Sequence, residues 1–212
     1  MIGVYGGTFD PVHFGHLRTA LEVKELLELD EIRLVPCRQP PHRGSPQATP
    51  AQRRQMLELA LREAEPGVRI DTLELERAGP SYMFDTVTAL RQELGHEVPL
   101  CLILGQDAFQ GLPFWHRWRE LAQLTHFAVM RRPDFPSEDV RDDLREWVRN
   151  RVVDPAQGLK AQPGGGVGFI EVSQLAISAT QIRALVQAGR SPRYLLPDAV
   201  LAFIREQKLY LE

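Results

Sequence analysis

Apolar and polar positions at the start of the chain follow two different periods. Residues 1–5 form a short apolar run, whereas from Phe14 apolar residues return every three or four positions with charged residues between them. The first pattern predicts a strand and the second an amphipathic helix. Residues 31–37 form another apolar, β-branched run that predicts a second strand. Strand, helix and strand form a βαβ unit, which is right-handed, makes the two strands parallel, and binds ligands at their carboxyl ends.

The rest of the chain continues the alternation of strands and helices. Five unbroken apolar residues, 100–104, predict a strand that is covered on both faces. Thr49 before Pro50 predicts a helix start, and Gly95 predicts a helix end. The predicted strands are residues 68–76, 98–105, 126–133 and 167–172, and the predicted helices are 50–64, 84–94, 137–149 and a segment from Ser178. We therefore predict an α/β protein, a Rossmann-like doubly wound and mostly parallel sheet with helices on both faces.

Composition limits the class of protein. A chain of 212 residues that is 43% hydrophobic can bury a full core as one domain, residues 1–212, with a small C-terminal helical cap at about 178–212. The formal net charge of −3 argues against nucleic acid as a partner. Cys37 and Cys101 are far apart and indicate no disulfide framework. We expect a cytoplasmic protein, because no secretory segment precedes Met1 and no apolar run approaches about 18 residues, the length that would span a bilayer.

One stretch, GGTFDPVHFGHL at residues 6–17, has the pattern of a phosphate site. Gly6 and Gly7 allow a tight turn and expose backbone amides to a ligand. The free N–H groups and dipole at a helix N-terminus favour an anion, and His13 and His16 add two imidazole donors there. The alternatives are a capping histidine with a surface histidine, and a metal site, for which no third ligand is nearby.

The same stretch resembles a known signature. G-G-T-F-D-P-x-H-x-G-H, residues 6–16 and here called the first signature, is typical of the nucleotidyltransferase superfamily of adenylyl and cytidylyl transferases. Its second signature, I-S-S-T-x-I-R, is similar to ISATQIR at residues 177–183, with Ala179 in place of a serine. The resemblance implies that His13, His16, Ser178 and Arg183 contact the triphosphate of ATP.

Smaller pieces resemble one member of that superfamily, the bacterial nicotinate mononucleotide adenylyltransferases. They are PPHR at 40–43, SYMFDT at 81–86, G-x-D at 105–107, W-H at 115–116 and R-R-P at 131–133. In the second of these, Met83 replaces the usual threonine. From the residues alone, each piece also has a structural reading, such as Ser81 as a helix cap, Asp107 as a turn cap, or Arg132 as a solvated strand end.

The resemblance implies a set of roles for these positions. His13, His16 and Arg183 are the predicted catalytic residues. ATP contacts are predicted for Gly6, Gly7, Thr8, Phe9, His13, His16, Arg132, Ser178 and Arg183. Contacts to the mononucleotide are predicted for His42, Arg43, Ser81, Tyr82, Met83, Gly105, Asp107, Trp115 and His116. Trp115 would stack on the pyridine ring, and Trp118 would be the packing residue. No residues are assigned as metal ligands, because Mg²⁺ is expected to arrive with ATP.

The reaction implied is attack by the phosphate of nicotinate mononucleotide on the α-phosphorus of ATP, in NAD biosynthesis. This nucleophile is already an anion, so the site needs no general base and must instead hold two polyanions in line. We expect phosphates to raise the pKa of a neighbouring histidine. The alternatives are an acceptor other than nicotinate mononucleotide, such as nicotinamide mononucleotide, phosphopantetheine or a cytidylyl acceptor, and a non-catalytic nucleotide-binding module. The sequence leaves the oligomeric state open, a homo-oligomer included.

Overall fold

The computed structural model of the chain describes residues 1–41, 44–131 and 142–211. Within these residues strands and helices alternate along most of the chain, as predicted. The strands are β1 Ile2–Gly7, β2 Glu31–Pro36, β3 Val68–Ile70, β4 Leu100–Gly105, β5 His126–Arg131 and β6 Val167–Glu171. The α-helices are α1 Phe14–Leu26, α2 Pro50–Ala60, α3 Leu73–Glu76, α4 Met83–Leu94, α5 Gln106–Gln110, α6 Trp118–Leu124, α7 Asp142–Arg149, α8 Ala179–Gln187 and α9 Asp198–Glu206.

The six strands form one sheet in the order β3-β2-β1-β4-β5-β6. The strand order reverses between β1 and β4, which are parallel neighbours with Ile2 opposite Leu100. β5 lies parallel to β4, and β6 parallel to β5. This is the strand order of a doubly wound Rossmann sheet, in which ligands bind at the carboxyl ends of the strands next to the reversal. The predicted fold class is confirmed.

Contacts between residues divide the chain into two compact units, each made of three separate segments of the sequence. Unit 1 contains Met1–Gly6, Glu22–Arg33 and Tyr82–Val172. Unit 2 contains Gly7–Leu21, Leu34–Ser81 and Ser173–Glu212. The expectation of a single domain stays a prediction. No helix among the described residues combines the length and the apolar character needed to cross a bilayer.

Unit 1 is built around β4, whose residues Leu100–Leu104 are buried on both faces as the apolar run predicted. Arg91 of α4 is 4% exposed and donates hydrogen bonds to carbonyl oxygens of several connections. Its Nε and Nη2 atoms lie 2.8 and 2.7 Å from the oxygen of Leu124, and Nη2 lies 2.7 Å from that of Pro163. These bonds satisfy buried backbone acceptors that would otherwise lack a partner.

Unit 2 contains α2, α8 and α9. The predicted start of α2 is confirmed, because Thr49 and Gln52 form a reciprocal capping box and Pro50 follows the cap. Ser178 caps α8 by accepting a hydrogen bond from the N–H of Gln181 at 3.1 Å. Both caps are local features, which is why the sequence was sufficient to predict them.

The third predicted strand is partly wrong. Residues 68–70 are a strand, but Leu73–Glu76 form a short helix. The N–H of Leu73 donates to the Asp71 carboxylate at 3.1 Å, and the N–H of Glu76 donates to the carbonyl of Thr72 at 3.1 Å. The alternating sequence LELE indicated a strand, but the hydrogen bonds around Asp71 and Thr72 begin a helical turn instead.

Candidate active site

The first signature lies in unit 2 from Gly7 onward, as a turn between the end of β1 and the start of α1. Phe9 has a left-handed backbone, with φ of 50°, and its side chain is 1% exposed. The rings of His13 and His16 are stacked with centroids 3.7 Å apart, and the ring of Phe9 meets His16 edge-on at 5.0 Å. The turn therefore holds the two imidazoles side by side at the N-terminus of α1.

Burial sets the protonation of these histidines. It lowers the pKa of His13 to about 4, and burial together with the neighbouring His13 lowers the pKa of His16 to about 3. Both imidazoles are therefore neutral at pH 7 in this structure. We expected phosphates to raise the pKa of these histidines, but in this structure burial lowers it. Within the described residues, the buried Nδ1 of His13 has no hydrogen-bond partner, so this atom has bonding capacity left for a ligand.

The second signature lies in the same unit and touches the first. The Arg183 guanidinium donates to the carbonyl oxygen of Asp10 at 2.7 Å through Nη1. A Cβ atom on Gly15 would lie 3.5 Å from the carbonyl oxygen of Ile177 and only 2.9 Å from Nδ1 of His13. Glycine at position 15 therefore permits the close approach of the two signatures, which are about 160 residues apart in sequence.

Two further residues hold the turn, and neither was assigned a role from the sequence. The Asp10 carboxylate accepts hydrogen bonds from the N–H of Gln47 at 2.8 Å and from the N–H of Ala48 at 3.1 Å. It also accepts one from the hydroxyl of Tyr210 at 2.7 Å. Asp10 stood in the signature without an assigned role, whereas no pattern in the sequence pointed to Tyr210.

A buried arginine supports the same turn from α2. Arg53 is 0% exposed, and its Nη1 donates to the carbonyl oxygen of Thr8 at 2.8 Å. Its Nη2 donates to the carbonyl of Arg38 and its Nε to that of Ala48, both at 3.3 Å. The N–H of Cys37 donates to the carbonyl of Gly7 at 2.9 Å. The end of β1 is thus fixed through its backbone, which leaves its amides in defined directions.

Unit 1 contains the aromatic residues predicted to contact the mononucleotide. The rings of Tyr82 and His116 are stacked with centroids 4.4 Å apart. Trp115 is partly exposed, whereas Trp118 is 6% exposed and meets Trp147 edge-on at 5.6 Å. The prediction that Trp118 is the packing residue is confirmed. Arg117, between the two tryptophans, has a left-handed backbone with φ of 54°, which turns the chain before α6 begins.

Met83 and Gly6, both in unit 1, lie against each other. A Cβ atom on Gly6 would lie 2.7 Å from the terminal methyl carbon of Met83. Gly105, at the end of β4, is the residue before α5, and Asp107 is exposed in the first turn of that helix. Because β1 and β4 are parallel neighbours, Gly6 and Gly105 lie at the same edge of the sheet, where both strands end. This edge is the one at which Rossmann sheets bind ligands.

The structure also gives Ser81 a definite role, and three predicted residues lie outside the described part of the chain. The Ser81 hydroxyl accepts hydrogen bonds from the N–H of Arg38 at 2.9 Å and of Gln39 at 3.3 Å, and it does not cap α4. The reading of Ser81 as a helix cap is therefore wrong, and its contact with the mononucleotide stays a prediction. His42, Arg43 and Arg132 lie outside the described residues.

Among the described residues, no group of three or more His, Cys, Asp and Glu side chains could hold a metal ion. Mg²⁺ in phosphate sites is usually held by substrate phosphates, water and one or two carboxylates rather than by a complete protein cage. That Mg²⁺ arrives with ATP stays a prediction.

Comparison with known proteins agrees with this geometry. The model of the family described as Cytidylyltransferase-like matches residues 4–185, so the chain belongs to that family of nucleotidyltransferases. The chain is 57% identical over 211 residues to a probable nicotinate-nucleotide adenylyltransferase of Methylococcus capsulatus, with 99% of each chain covered. It is 51% identical over 209 residues to the Pseudomonas fluorescens protein of the same description, covering 99% of this chain and 96% of that one.

Within the family, the chain is thus an enzyme of the nicotinate-nucleotide adenylyltransferase group. Its fold resembles that of Plasmodium falciparum nicotinic acid mononucleotide adenylyltransferase, solved in complex with NaAD. The TM-score is 0.74 at 17% sequence identity, with 99% of this chain and 96% of that chain covered. At this identity the likeness shows a shared fold.

Proposed function

We propose that the chain transfers the adenylyl group of ATP to nicotinate mononucleotide, forming nicotinate adenine dinucleotide and releasing pyrophosphate in NAD biosynthesis. The observation that carries the proposal is the joining of the two signatures in unit 2. Arg183 donates to the carbonyl oxygen of Asp10, and the stacked rings of His13 and His16 follow at the N-terminus of α1, although Arg183 is 167 residues after His16 in sequence. Such a group of donors suits a triphosphate.

The residues of unit 2 act on the phosphates of ATP. Arg183 supplies a permanent positive charge, and the neutral imidazoles of His13 and His16 supply N–H donors. Gly7, Thr8, Phe9 and Ser178 contribute main-chain or hydroxyl groups of the two signatures, and Gly6 contributes its main chain from unit 1. The acceptor phosphate is already anionic at neutral pH, so the protein lowers the barrier by aligning the reacting atoms and stabilising charge on the leaving pyrophosphate. Within that reaction His13, His16 and Arg183 are the catalytic residues.

The two histidines also link ATP binding to proton uptake. A phosphate next to a neutral imidazole favours its charged form, which opposes the lowering of the pKa by burial. ATP affinity is therefore expected to rise as the pH falls below the pKa that each histidine has in the complex. Mg²⁺ carried by the triphosphate would supply further neutralisation of charge, and no described cluster of side chains competes for it.

The residues of unit 1 act on the mononucleotide. Trp115 presents a partly exposed flat ring for the pyridine, and aromatic stacking contributes about 0.5 to 1.5 kcal/mol beyond burial. The main-chain N–H groups of Met83 and His116 are the proposed donors to the nicotinate carboxylate, which explains why methionine can replace the usual threonine. Tyr82 stacks on His116 and keeps that segment in place. Gly105 and Asp107 contact the ribose and its surroundings, and His42, Arg43 and Ser81 complete the proposed contacts to the mononucleotide. Arg132 is instead a proposed contact of ATP.

The proposal is tested by mixing the purified protein with MgATP and nicotinate mononucleotide, and by following both pyrophosphate release and dinucleotide formation. We expect stoichiometric formation of the two products. Parallel reactions with nicotinamide mononucleotide, phosphopantetheine and a cytidylyl acceptor measure substrate preference. Turnover only with another acceptor would replace the proposed substrate, and ATP binding without pyrophosphate release would favour the non-catalytic module. A cytoplasmic location and the absence of nucleic-acid partners also belong to this proposal, together with an oligomeric state that sedimentation would determine.

A further inference from the structure

Tyr210 donates a hydrogen bond to the phosphate turn, the segment of residues 8–13 between β1 and α1. Tyr210 is 6% exposed, although Lys208 and Leu211 on either side are exposed. Its hydroxyl donates to Oδ1 of Asp10 at 2.7 Å, across 200 positions of sequence. Tyr210 is therefore held inside unit 2 by a specific long-range contact.

The backbone at this position supports the same conclusion. Tyr210 has a left-handed conformation with φ of 64°, and Lys208 has one with φ of 52°. Residues other than glycine pay a conformational cost there and persist only where their surroundings hold them. The chain after α9 therefore adopts two left-handed backbone conformations, and the Tyr210 side chain reaches Asp10.

Asp10 connects this tyrosine to a predicted catalytic group. Its carboxylate is held by the hydroxyl of Tyr210 and by the N–H groups of Gln47 and Ala48. Its carbonyl oxygen accepts the hydrogen bond of the Arg183 guanidinium at 2.7 Å. A shift of Asp10 would therefore move Arg183 and the turn that carries His13.

We propose that Tyr210 is a positioning residue for adenylyl transfer, which acts through Asp10 to fix the Arg183 guanidinium and the phosphate turn. The proposal rests on the proposed function, because it assigns the triphosphate to that turn. Burial and the adjacent Asp10 carboxylate raise the pKa of the Tyr210 hydroxyl, so it remains a donor at every pH at which the enzyme works.

The test compares Tyr210→Phe with Tyr194→Phe. Both substitutions remove one hydroxyl in unit 2, but Tyr194 is 82% exposed. We expect kcat of Tyr210→Phe to fall about tenfold, which is the effect of about 1.4 kcal/mol of lost transition-state stabilisation. The KM for the mononucleotide should stay within about twofold of its original value. Tyr194→Phe should match the unchanged protein in both quantities.

Hydrogen exchange separates positioning from loss of fold. In Tyr210→Phe, the amides of Gln47 and Ala48 should exchange faster, since their acceptor is no longer fixed, while those of β4 and β5 stay protected. In an Asp10→Asn background, Tyr210→Phe should cause little further loss of kcat, because interacting residues are not additive. Equal kcat values for the two tyrosine variants, or unchanged exchange at Gln47 and Ala48, would overturn the proposal.

The failure of this inference can be distinguished from failure of the proposed function. If the unchanged protein makes no dinucleotide, the proposed function fails on its own. In that case ATP affinity measured by calorimetry tests the positioning role: Tyr210→Phe should bind ATP several-fold more weakly than Tyr194→Phe. Equal affinities would reject the role of Tyr210.

Discussion

An almost fully buried arginine that donates to main-chain carbonyl oxygens occurs in each unit. Arg91 in unit 1 holds the connections around Leu124 and Pro163, where no substrate contact is predicted. Arg53 in unit 2 holds Thr8 inside the first signature and Arg38 next to it. A buried arginine therefore stabilises connections away from the predicted site in unit 1, and it stabilises the phosphate turn in unit 2. Burial of a charged residue does not by itself mark a functional site; the segments that it holds decide its role.

The sharpest test of this comparison is the pair Arg53→Met and Arg91→Met. Each leaves several buried carbonyl groups unpaired, at about 1 to 3 kcal/mol each, so we expect the free energy of unfolding to fall by about 3 to 5 kcal/mol in both. Denaturant titration measures this loss. Activity per folded molecule should fall at least tenfold in Arg53→Met and stay near normal in Arg91→Met. An equal loss of activity in both variants would remove the distinction between the two arginines.

His16→Ala tests whether unit 2 carries the chemistry. Removal of one preorganised donor to a transition-state charge costs about 10²- to 10³-fold in kcat. The KM for the mononucleotide should change little, because His16 is assigned to ATP and other residues are assigned to the mononucleotide. Steady-state kinetics with each substrate varied in turn separates the two quantities. Equal losses in kcat and in mononucleotide affinity would mean that His16 only binds.

Trp115→Ala is the corresponding test in unit 1. Loss of the ring that stacks on the pyridine should raise the KM for the mononucleotide about tenfold while kcat changes much less. Trp118→Phe serves as the control, since Trp118 is buried against Trp147 and should affect stability rather than the KM. An unchanged KM in Trp115→Ala would refute the stacking role.

The smallest expected effect is a change in how folding stability depends on pH, and it concerns the buried histidines of both units. In unit 1, burial lowers the pKa of His126, whose Nε2 bonds to the carbonyl of Gln162 and whose Nδ1 accepts from the N–H of Gly166. Because the unfolded chain binds a proton near pH 6.5 and the folded one does not, stability is lost as the pH falls below about 6.5. One such histidine contributes at most about 1.4 kcal/mol per pH unit.

The histidines can be separated by substitution. Denaturant titrations between pH 7.5 and pH 5 should show a smaller loss of stability in His126→Gln and in His16→Gln than in the unchanged protein. Saturating ATP should reduce the contribution of His16, whose pKa rises beside phosphate, and leave that of His126 unaltered. An identical pH dependence in all three proteins would contradict the assigned pKa directions.

The parts of the fold that the sequence predicted depend on local patterns. β4 followed from five consecutive apolar residues, and the start of α2 from Thr49 and Pro50. The short helix at residues 73–76 was missed because LELE fits a strand equally well, and hydrogen bonds around the preceding residues decided between them.

The same distinction between local patterns and long-range contacts applies to the candidate site. The two signatures could be recognised because each is a contiguous motif, and their meeting at Asp10 followed from the fold. Arg53 and Tyr210 could not be found, since their partners are 45 and 200 positions away and neither residue belongs to a periodic pattern. The direction of the histidine pKa shifts in this structure also depends on burial, which only the packed chain defines.

The bond between Asp10 and Tyr210 also bears on how the enzyme is made. A ribosome synthesises the amino-terminal residues first, so Asp10 leaves the exit tunnel long before its tyrosine partner exists. Unit 1 has all of its segments once residue 172 has emerged, whereas unit 2 requires the last residues of the described chain. Unit 1 therefore has all of its segments earlier in synthesis than Asp10 has its full set of hydrogen-bond partners.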